Sequence, residues 1–533
     1  MRAKEVPMGH SEASIENMRQ LTLGEMISRN ARKMPEREAV VFEGSTYTYR
    51  DFDLRTNRLA NALSWLGAKK ETKVAELMFN CSQLVESYFA VAKLGAVSVP
   101  LNFRLTAGEI LYQLENSDSE FLIFGGEFIP VVEEIRERAP HLIFIGVGDG
   151  LPDFAQSYEE LVQEAPDTPR EELVCDDDPA FIMYTSGTTG KPKGAVLTHK
   201  NQLMNAMNCL LEMSKEVAWQ DHERVQFVAP LFHEAALALC LVTFTIHGTM
   251  HILRFFEPQK VMEQIDRDRI TITFMPPVMA TFILNSVNVA DYDTSSLRIW
   301  ISGAAILPTE TRRQINQAFP SVNLFDVFGQ TEMSPVTTML KPSQAPGKPA
   351  SVGLPVFNVE VRVVDDDDRD VPVGEVGEIV YRGPTVMKEY YKNPEATREA
   401  LRGGWFHSGD LVCMDEEGFI YVVDRKKDMI ISGGENIYPA EIEEVLYQHP
   451  KILEAAVIGV YDEVWGEAVM AVVVPKQGEQ LTKEEVIDWC KDRLASYKKP
   501  KYVEFMEALP RNAAMKVVKG ELRKKFGKSV RYE

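Results

Sequence analysis

Residues 184–194 read YTSGTTGKPKG: three glycines, five hydroxyl side chains and two lysines in eleven positions. The strand-like run Ala180-Phe181-Ile182-Met183-Tyr184 leads into them, and a second strand pattern follows. Gly-rich, hydroxyl-rich loops between strands suit anions, because exposed backbone N–H groups and short side chains can surround a phosphate. The common phosphate loop, G-x-x-x-x-G-K-[ST], is excluded. Thr185 stands where its first glycine belongs, and Gly190-Lys191 is followed by Pro192, so the hydroxyl that would bind Mg²⁺ is missing. Proline also suits poorly the helix that follows such a loop. The stretch reads either as a phosphate grip of another class or as a Gly/Ser linker. Two lysines bracketing a proline, with a strand on each side, favour the grip.

Working outward, strand and helix patterns alternate. Val74–Met78 reads as a strand, Leu84, Tyr88, Phe89 and Ala92 mark a helix, and Val97–Pro100 returns as a strand. The alternation recurs through RVQFVAP (224–230), a helix from Glu234, TMHIL (249–253), a helix around Val261–Ile265 and ITITFM (270–275). Strands alternating with helices imply an α/β fold whose mostly parallel sheets are covered by helices. From about residue 355 the texture changes. VEVRVVDDDDRDVPVGEVGEIVYRG (359–383) has the short strands and Gly turns of a small antiparallel β region. Asp365–Asp368 within it reads as a solvated turn in preference to a metal site. Beyond DRKKD (424–428), helix and strand patterns follow in the order PAEIEEVLYQ, EAAVIGV, AVMAVVV, KEEVIDWCKDRL and YVEFM. They predict a small α+β domain of about a hundred residues. The expected division is a large domain over 1–426 and a small, mobile one over 427–533.

Length agrees, since 533 residues exceed what one core supports. A formal net charge of −21 argues against nucleic-acid or anionic-membrane binding, so any phosphate site must be locally basic. Cys81, Cys175, Cys209, Cys240, Cys413 and Cys490 are scattered without a C-x-x-C pair. That argues against zinc and a disulfide framework and suits a reducing cytosol. The first twenty residues lack the apolar stretch of a signal peptide. The longest apolar run, Ala235–Ile246, is too short to span a bilayer. A cytoplasmic protein without a transmembrane segment is expected; oligomeric state is not legible.

Four further stretches carry chemistry. APLFHEAAL (229–237) puts His233 at a strand-to-helix junction, and Leu237 excludes the H-E-x-x-H zinc motif. FDVFGQTEMSP (325–335) sets Thr331 and Glu332 just past a strand and a Gly turn; Mg²⁺ is held by one or two such carboxylates plus substrate oxygens. Phe328 can stack on a flat ring. WFHSGDL (405–411) presents Asp410, able to take both hydroxyls of a ribose, or simply a turn residue. ALPRNAAMKVVKGEL (508–522) holds Lys516 beyond a loop starting at Pro510.

Together YTSGTTGKPKG, PLFH, FGQTE, WFHSGDL, DRKKDMIISGGENIYPAEIE and LPRNAAMK, in this order and spacing, resemble the adenylate-forming superfamily from about residue 20 to the C-terminus. The resemblance is nearest to the acyl-CoA synthetases acting on fatty and aryl acids. It implies a two-step reaction. A carboxylic acid attacks the α-phosphate of Mg-ATP to give an acyl-adenylate and pyrophosphate, and coenzyme A then displaces AMP to give a thioester. Thr185, Ser186, Gly187, Thr188, Thr189 and Lys193 would grip the departing phosphates. Thr331 would contact the α-phosphate and Glu332 would hold Mg²⁺. Gly303, Ala304 and Ala305 would flank adenine, with Phe328 and Gly329 opposite and Asp326 near its amino group. Asp410 would bind the ribose, assisted by Arg425. Lys516 would bridge the acyl carboxylate and the α-phosphate, Lys427 would be the hinge, and Gly433 and Gly434 would line the pantetheine path. His233 would gate the reacting carboxyl. The acyl pocket would be formed by His233, Glu234, Ala235, Ala236, Trp300, Ala304, Ile306, Val327, Met333 and Ser334.

Two departures stand out: Phe328 replaces a usual tyrosine, and Met515 replaces the usual glycine before Lys516. The rival readings are a stand-alone enzyme loading a carrier protein and a non-catalytic acyl-adenylate or nucleotide binder. His233, where peptide-synthetase domains place an aspartate for an α-amino group, favours a simple carboxylic acid.

Overall fold

The computed structural model describes residues 19–185, 191–425, 428–432, 435–462, 464–491, 493–512 and 516–527. Met1–Phe274, Gln330–Val336 and Gly383–Arg398 form one compact unit; Met275–Gly329, Thr337–Arg382 and Glu399–Glu533 form a second. The architecture is mixed α/β, with parallel sheets and helices through the large N-terminal part and a small α+β body at the C-terminal end.

In the first unit, the central strands of an eight-stranded sheet run Pro179–Thr185, Val97–Pro100, Lys73–Leu77, Ser119–Gly125 and Ile143–Val147. These are parallel pairs, and the edge beyond Pro179–Thr185 turns antiparallel through Lys193–Thr198 and Glu389–Tyr390. A second parallel set comprises Glu38–Phe42, Thr249–Ile252, Arg224–Phe227 and Ile272–Phe274. The strand Val97–Pro100 is buried at every position, as expected where helices cover both faces. Helix starts follow local chemistry: Thr48 with Asp51, Thr106 with Glu109 and Thr198 with Asn201 each form a capping box. Tyr49, Phe52, Phe89 and Phe244 interlock edge-to-face and stacked, tying three helices together. The helix Glu234–Thr245 is apolar all round and nearly all buried, so its lack of amphipathicity marks a core element. Among the described residues no helix is long and apolar enough to cross a membrane.

The second unit contains the parallel pair Ile299–Ser302 and Asn323–Gly329. It also contains the expected antiparallel region, Glu360–Val364, Gly377–Arg382, Phe406–Met414 and Ile420–Arg425. There the Asp365 carboxylate accepts the N–H groups of Asp367 and Arg369, closing a turn on itself. The C-terminal body is built on a long hairpin, Ile452–Asp462 against Gly466–Pro475, with Tyr502–Phe505 added in parallel. Its residues alternate between two cores. Val457, Ala471 and Val473 meet the helices Pro439–Tyr447 and Lys483–Lys491, whereas Ile458, Val472 and Val474 meet Leu522 of Lys519–Phe526. A sheet covered on both faces explains why AVMAVVV shows no polar alternation.

His199 opens the helix that follows the phosphate hairpin. It is fully buried, and its Nδ1 accepts the Leu23 N–H, which a protonated ring could not do. Burial depresses its pKa from 6.5 to about 4. The unfolded chain therefore takes up this proton first, and stability declines as pH falls from about 6.5 toward 4. The loss approaches about 3 kcal/mol at 1.4 kcal/mol per unit. His199→Asn keeps an acceptor that does not titrate. Urea unfolding at pH 7 and pH 4.5 should find that the variant loses less stability than the parent; equal losses would contradict the assignment.

Candidate active site

Thr185 pairs antiparallel with Lys193, the last described pair of the hairpin expected to grip phosphates. Ser186, Gly187, Thr188 and Thr189 lie outside the described residues, as do Lys427, Gly433, Gly434 and Met515. Thr185 Oγ1 donates to Glu332 Oε1 at 3.1 Å, across 147 positions of chain. Tyr390, on the edge strand paired with Ala195, donates its hydroxyl to the same oxygen at 2.9 Å. Lys193 Nζ stands 5.2 Å from the centre of the Tyr390 ring. Burial, with the Glu332 charge beside it, holds the Tyr390 hydroxyl far above the usual tyrosine range, so it remains a donor.

Glu332 is delivered by a single 3₁₀ turn, Thr331–Met333, fastened on several sides. The Met387 N–H donates to the Glu332 carbonyl at 2.8 Å. Asn205 Nδ2 donates to Val336 O at 2.8 Å and to Met333 O at 3.5 Å. Ser334, at a left-handed φ of 69°, donates its hydroxyl to Thr385 O at 3.0 Å. One turn before Asn205, Asn201 donates to Pro384 O and Val386 O. The helix His199–Met213, which directly follows the strand Lys193–Thr198, thus pins the segments bearing Glu332 and Tyr390.

His233 is the N-cap of Glu234–Thr245, its ring 4.6 Å from that of Phe232, which meets Phe103 edge-on. The loop before it hangs on Asn80, whose amide group donates to Ala229 O and Leu253 O and accepts the Leu231 N–H.

In the second unit, Asp326 pairs in register with Ser302 and accepts Arg312 Nη2 at 2.8 Å. Burial pushes its carboxyl up to about 7 against the pull of Arg312. Asp410, expected in a turn or on a ribose, lies within a strand opposite Arg425, whose Nε is 3.1 Å away. Gly409 before it has φ 73°, a conformation side chains resist. Gly303 is buried, Ala304 has φ 68° and Ala305 is exposed in the loop after Ile299–Ser302; Phe328 and Gly329 are partly accessible. Asn512 clasps Lys516: its Oδ1 accepts the Lys516 N–H at 2.9 Å, and its own N–H donates to Lys516 O at 2.8 Å.

The residues expected to line an acyl pocket divide. His233, Ala235, Ala304, Ile306 and Val327 retain accessible surface. Trp300 is sealed against Phe319, and Met333, Ser334, Ala236 and Glu234 are likewise buried. A side chain with no accessible surface does not line an open cavity, so these five are buried residues and not lining ones.

Comparison with known proteins places this geometry. The family model for AMP-binding enzymes matches residues 27–391, and that for the AMP-binding enzyme C-terminal domain matches 441–516. The chain belongs to this adenylate-forming family. A feruloyl-CoA synthase of Amycolatopsis is 41% identical over 512 residues, 96% of this chain and 100% of the relative. A long-chain-fatty-acid–CoA ligase of Mycobacterium tuberculosis is 38% identical over 514 residues, covering 95% and 99%. The o-succinylbenzoate CoA synthetase of Bacillus subtilis, solved with its acyl-adenylate intermediate, superposes with a TM-score of 0.83 at 32% identity, covering 95% and 98%. The enzyme is of the AMP-forming acyl-CoA synthetase type.

The sequence singled out Thr185, Lys193 and Glu332 of this adenylate-forming enzyme, and the fold brings them together. It left Tyr390, Asn205, Asn80 and Arg312 unmarked. Each lies in an ordinary local context and acts through a partner distant in sequence or on another element, where no motif spacing is available. Tyr390→Phe removes one of the two hydroxyl donors that the described residues supply to Glu332. A hydrogen bond to a charged group contributes about 1.5–3 kcal/mol, so acid-dependent pyrophosphate–ATP exchange should fall about 10-fold or more with the fold intact. Exchange at the parental rate would remove Tyr390 from the machinery.

Proposed function

We propose that this enzyme joins a carboxylic acid, aryl or fatty, to coenzyme A through an acyl-adenylate, consuming ATP and releasing AMP and pyrophosphate. The observation that carries the proposal is the Glu332 carboxylate clasped by Thr185 and Tyr390 at the root of a phosphate hairpin, with Lys193 alongside. Both donors to Glu332 are neutral hydroxyls, so they orient the carboxylate without neutralising it. A hard, anionic oxygen of that kind fits Mg²⁺, which takes one or two carboxylates together with substrate phosphate oxygens. Such an ion supplies charge neutralisation on the pyrophosphate leaving group.

The chain's own groups do the rest. Thr185 and Lys193, with Ser186, Gly187, Thr188 and Thr189, hold the β- and γ-phosphates. Thr331 meets the α-phosphate. Phe328, Gly303, Ala304 and Ala305 hold adenine beside Asp326, and Asp410 takes the ribose hydroxyls when Arg425 yields part of its present pairing. A carboxylate is a weak nucleophile and is repelled by the triphosphate. Lys516, bridging both anions, offsets that repulsion as the C–O–P bond forms and pyrophosphate leaves. In the second step the thiol of coenzyme A attacks the acyl carbon, AMP departs, and Gly433 and Gly434 leave room for the pantetheine arm. We assign the first 426 residues to the large domain and 427–533 to a small mobile one turning at Lys427. Scattered free thiols support a cytoplasmic location.

The test is a separation of half-reactions. The parent should release pyrophosphate only when ATP, Mg²⁺ and an acid are all present. Lys516→Ala should abolish that release yet still convert chemically supplied acyl-adenylate and coenzyme A to thioester. Glu332→Gln should lose about 10²- to 10³-fold in adenylation, the usual effect of removing one charge-stabilising group. No acid-dependent pyrophosphate from the parent, across acids from acetate to palmitate with benzoate and cinnamates, would overturn the ligase reading.

A further inference from the structure

Asp326, the carboxylate assigned to the adenine amino group, is held by one cation. Helix Thr309–Ala318 turns Arg312 inward together with Ile315, and Arg312 is 5% exposed. Arg312 Nη2 donates to Asp326 Oδ2 at 2.8 Å. The other donors of the guanidinium, Nε and Nη1, are buried and have no hydrogen-bond partner among the described residues. Ser302 stands opposite Asp326 in register on the neighbouring strand; it too is buried, and its hydroxyl lacks a partner among the described residues. A buried guanidinium that makes one charged bond and leaves two groups unpaired is costly. Apolar side chains in place of such an ion pair are often equally stable, so packing alone does not account for Arg312.

The position of the pair does. Asp326 lies toward the carboxyl end of the parallel strands Ile299–Ser302 and Asn323–Gly329, the end at which sheets of this kind bind ligands. It keeps 5% of its surface, and Ala304 and Ala305 after the first strand and Phe328 and Gly329 at the end of the second keep more. Burial pushes the Asp326 carboxyl up, and Arg312 is the cation that pulls it back. With that pull, at mildly alkaline pH, Asp326 is an ionised group that only accepts hydrogen bonds. Without it, the buried carboxyl keeps its proton and donates as well. An acceptor-only group matches the 6-amino group of adenine and repels the 6-oxo group of hypoxanthine. A protonated carboxyl matches either.

We propose that Arg312 is a positioning residue for nucleobase selection: acting through the Asp326 carboxylate, it sets the preference of the enzyme for an adenine nucleotide over a 6-oxopurine nucleotide. The inference rests on the ligase reading given above and on its placement of adenine. Sites built to hydrogen-bond a substrate N–H reject the analogue lacking it by large factors, up to about 10⁴-fold.

The experiment measures kcat/KM for pyrophosphate release at pH 8 with ATP and with inosine triphosphate, using one acid that the parent accepts. The parent should prefer ATP by about 100-fold. Arg312→Met should cut that ratio by about 10-fold or more, the effect of losing a hydrogen bond to a charged group, with the KM for the acid unchanged. Arg312→Lys still offers Asp326 one charged donor and should keep the ratio within about 3-fold of the parent. Asp326→Asn should also lower the ratio, and adding Arg312→Met to it should change the ratio no further, because the two residues act as one unit. A merely structural Arg312 would lower both rates together and leave the ratio standing. Arg312→Gln, neutral and of similar reach, is read on the same criterion should Arg312→Met fail to fold. A parental ratio near one, a ratio unaltered by loss of the Arg312 charge, or a further drop in the double variant overturns the proposal. Absence of pyrophosphate release with every acid and with both nucleotides is a different outcome, since it removes the ligase reading and this inference with it.

Discussion

The Glu332 carboxylate is the constraint on which the first unit turns. It sits on a 3₁₀ turn too short to hold itself in place, and three remote segments supply what the turn lacks. Thr185 comes from the end of a central strand, Tyr390 from an edge strand, and Asn205 from the helix that follows the phosphate hairpin. A charge buried to this degree is tolerated when hydrogen bonds orient it and a counter-charge is supplied. Here the hydroxyls orient it, and in the proposed reaction the Mg²⁺ that accompanies the nucleotide would supply the counter-charge. A carboxylate oriented in this way is suited to charge that develops on a leaving group, since its donors need not reorganise.

An acidic chain that handles polyanions, as proposed, needs cations placed locally. The formal charge of −21 would repel a triphosphate if it were spread evenly. Instead, cations stand beside the residues assigned to the nucleotide: Lys193 by the Tyr390 ring, Arg312 on Asp326 and Arg425 on Asp410. In the last two cases the arginine pairs with a buried carboxylate. Pairing lowers the cost of burying the acid and fixes where its oxygens stand.

Much of the fold was legible because periodicity and punctuation agree. The alternation from Val74 to Pro100 becomes strand, helix and strand at Lys73–Leu77, Ser82–Lys93 and Val97–Pro100, since the apolar spacing of each segment favours the element it forms. The chemistry-bearing motifs were legible because each places several reactive side chains within a few residues. Long-range support was not. Nothing near Tyr390 or Asn205 in the chain signals that each fastens Glu332 or the turn that bears it, and nothing near Arg312 signals its pairing with Asp326. Trp300 misled for a related reason: an aromatic beside the nucleotide loop suggests a pocket wall, yet its neighbour across the fold is Phe319 and the ring is sealed. Asp410 likewise follows a glycine and reads as a turn residue, although Gly409 bends a strand that continues to Met414.

The central claim is that the acid's own carboxylate, held against the α-phosphate, is the nucleophile. Oxygen-isotope transfer tests it directly. With both carboxylate oxygens of the acid replaced by ¹⁸O and a full cycle run with coenzyme A in ordinary water, mass spectrometry of the AMP should find one ¹⁸O in its phosphate. AMP without label would show that water, and not the carboxylate, attacks the α-phosphate, and would contradict the account.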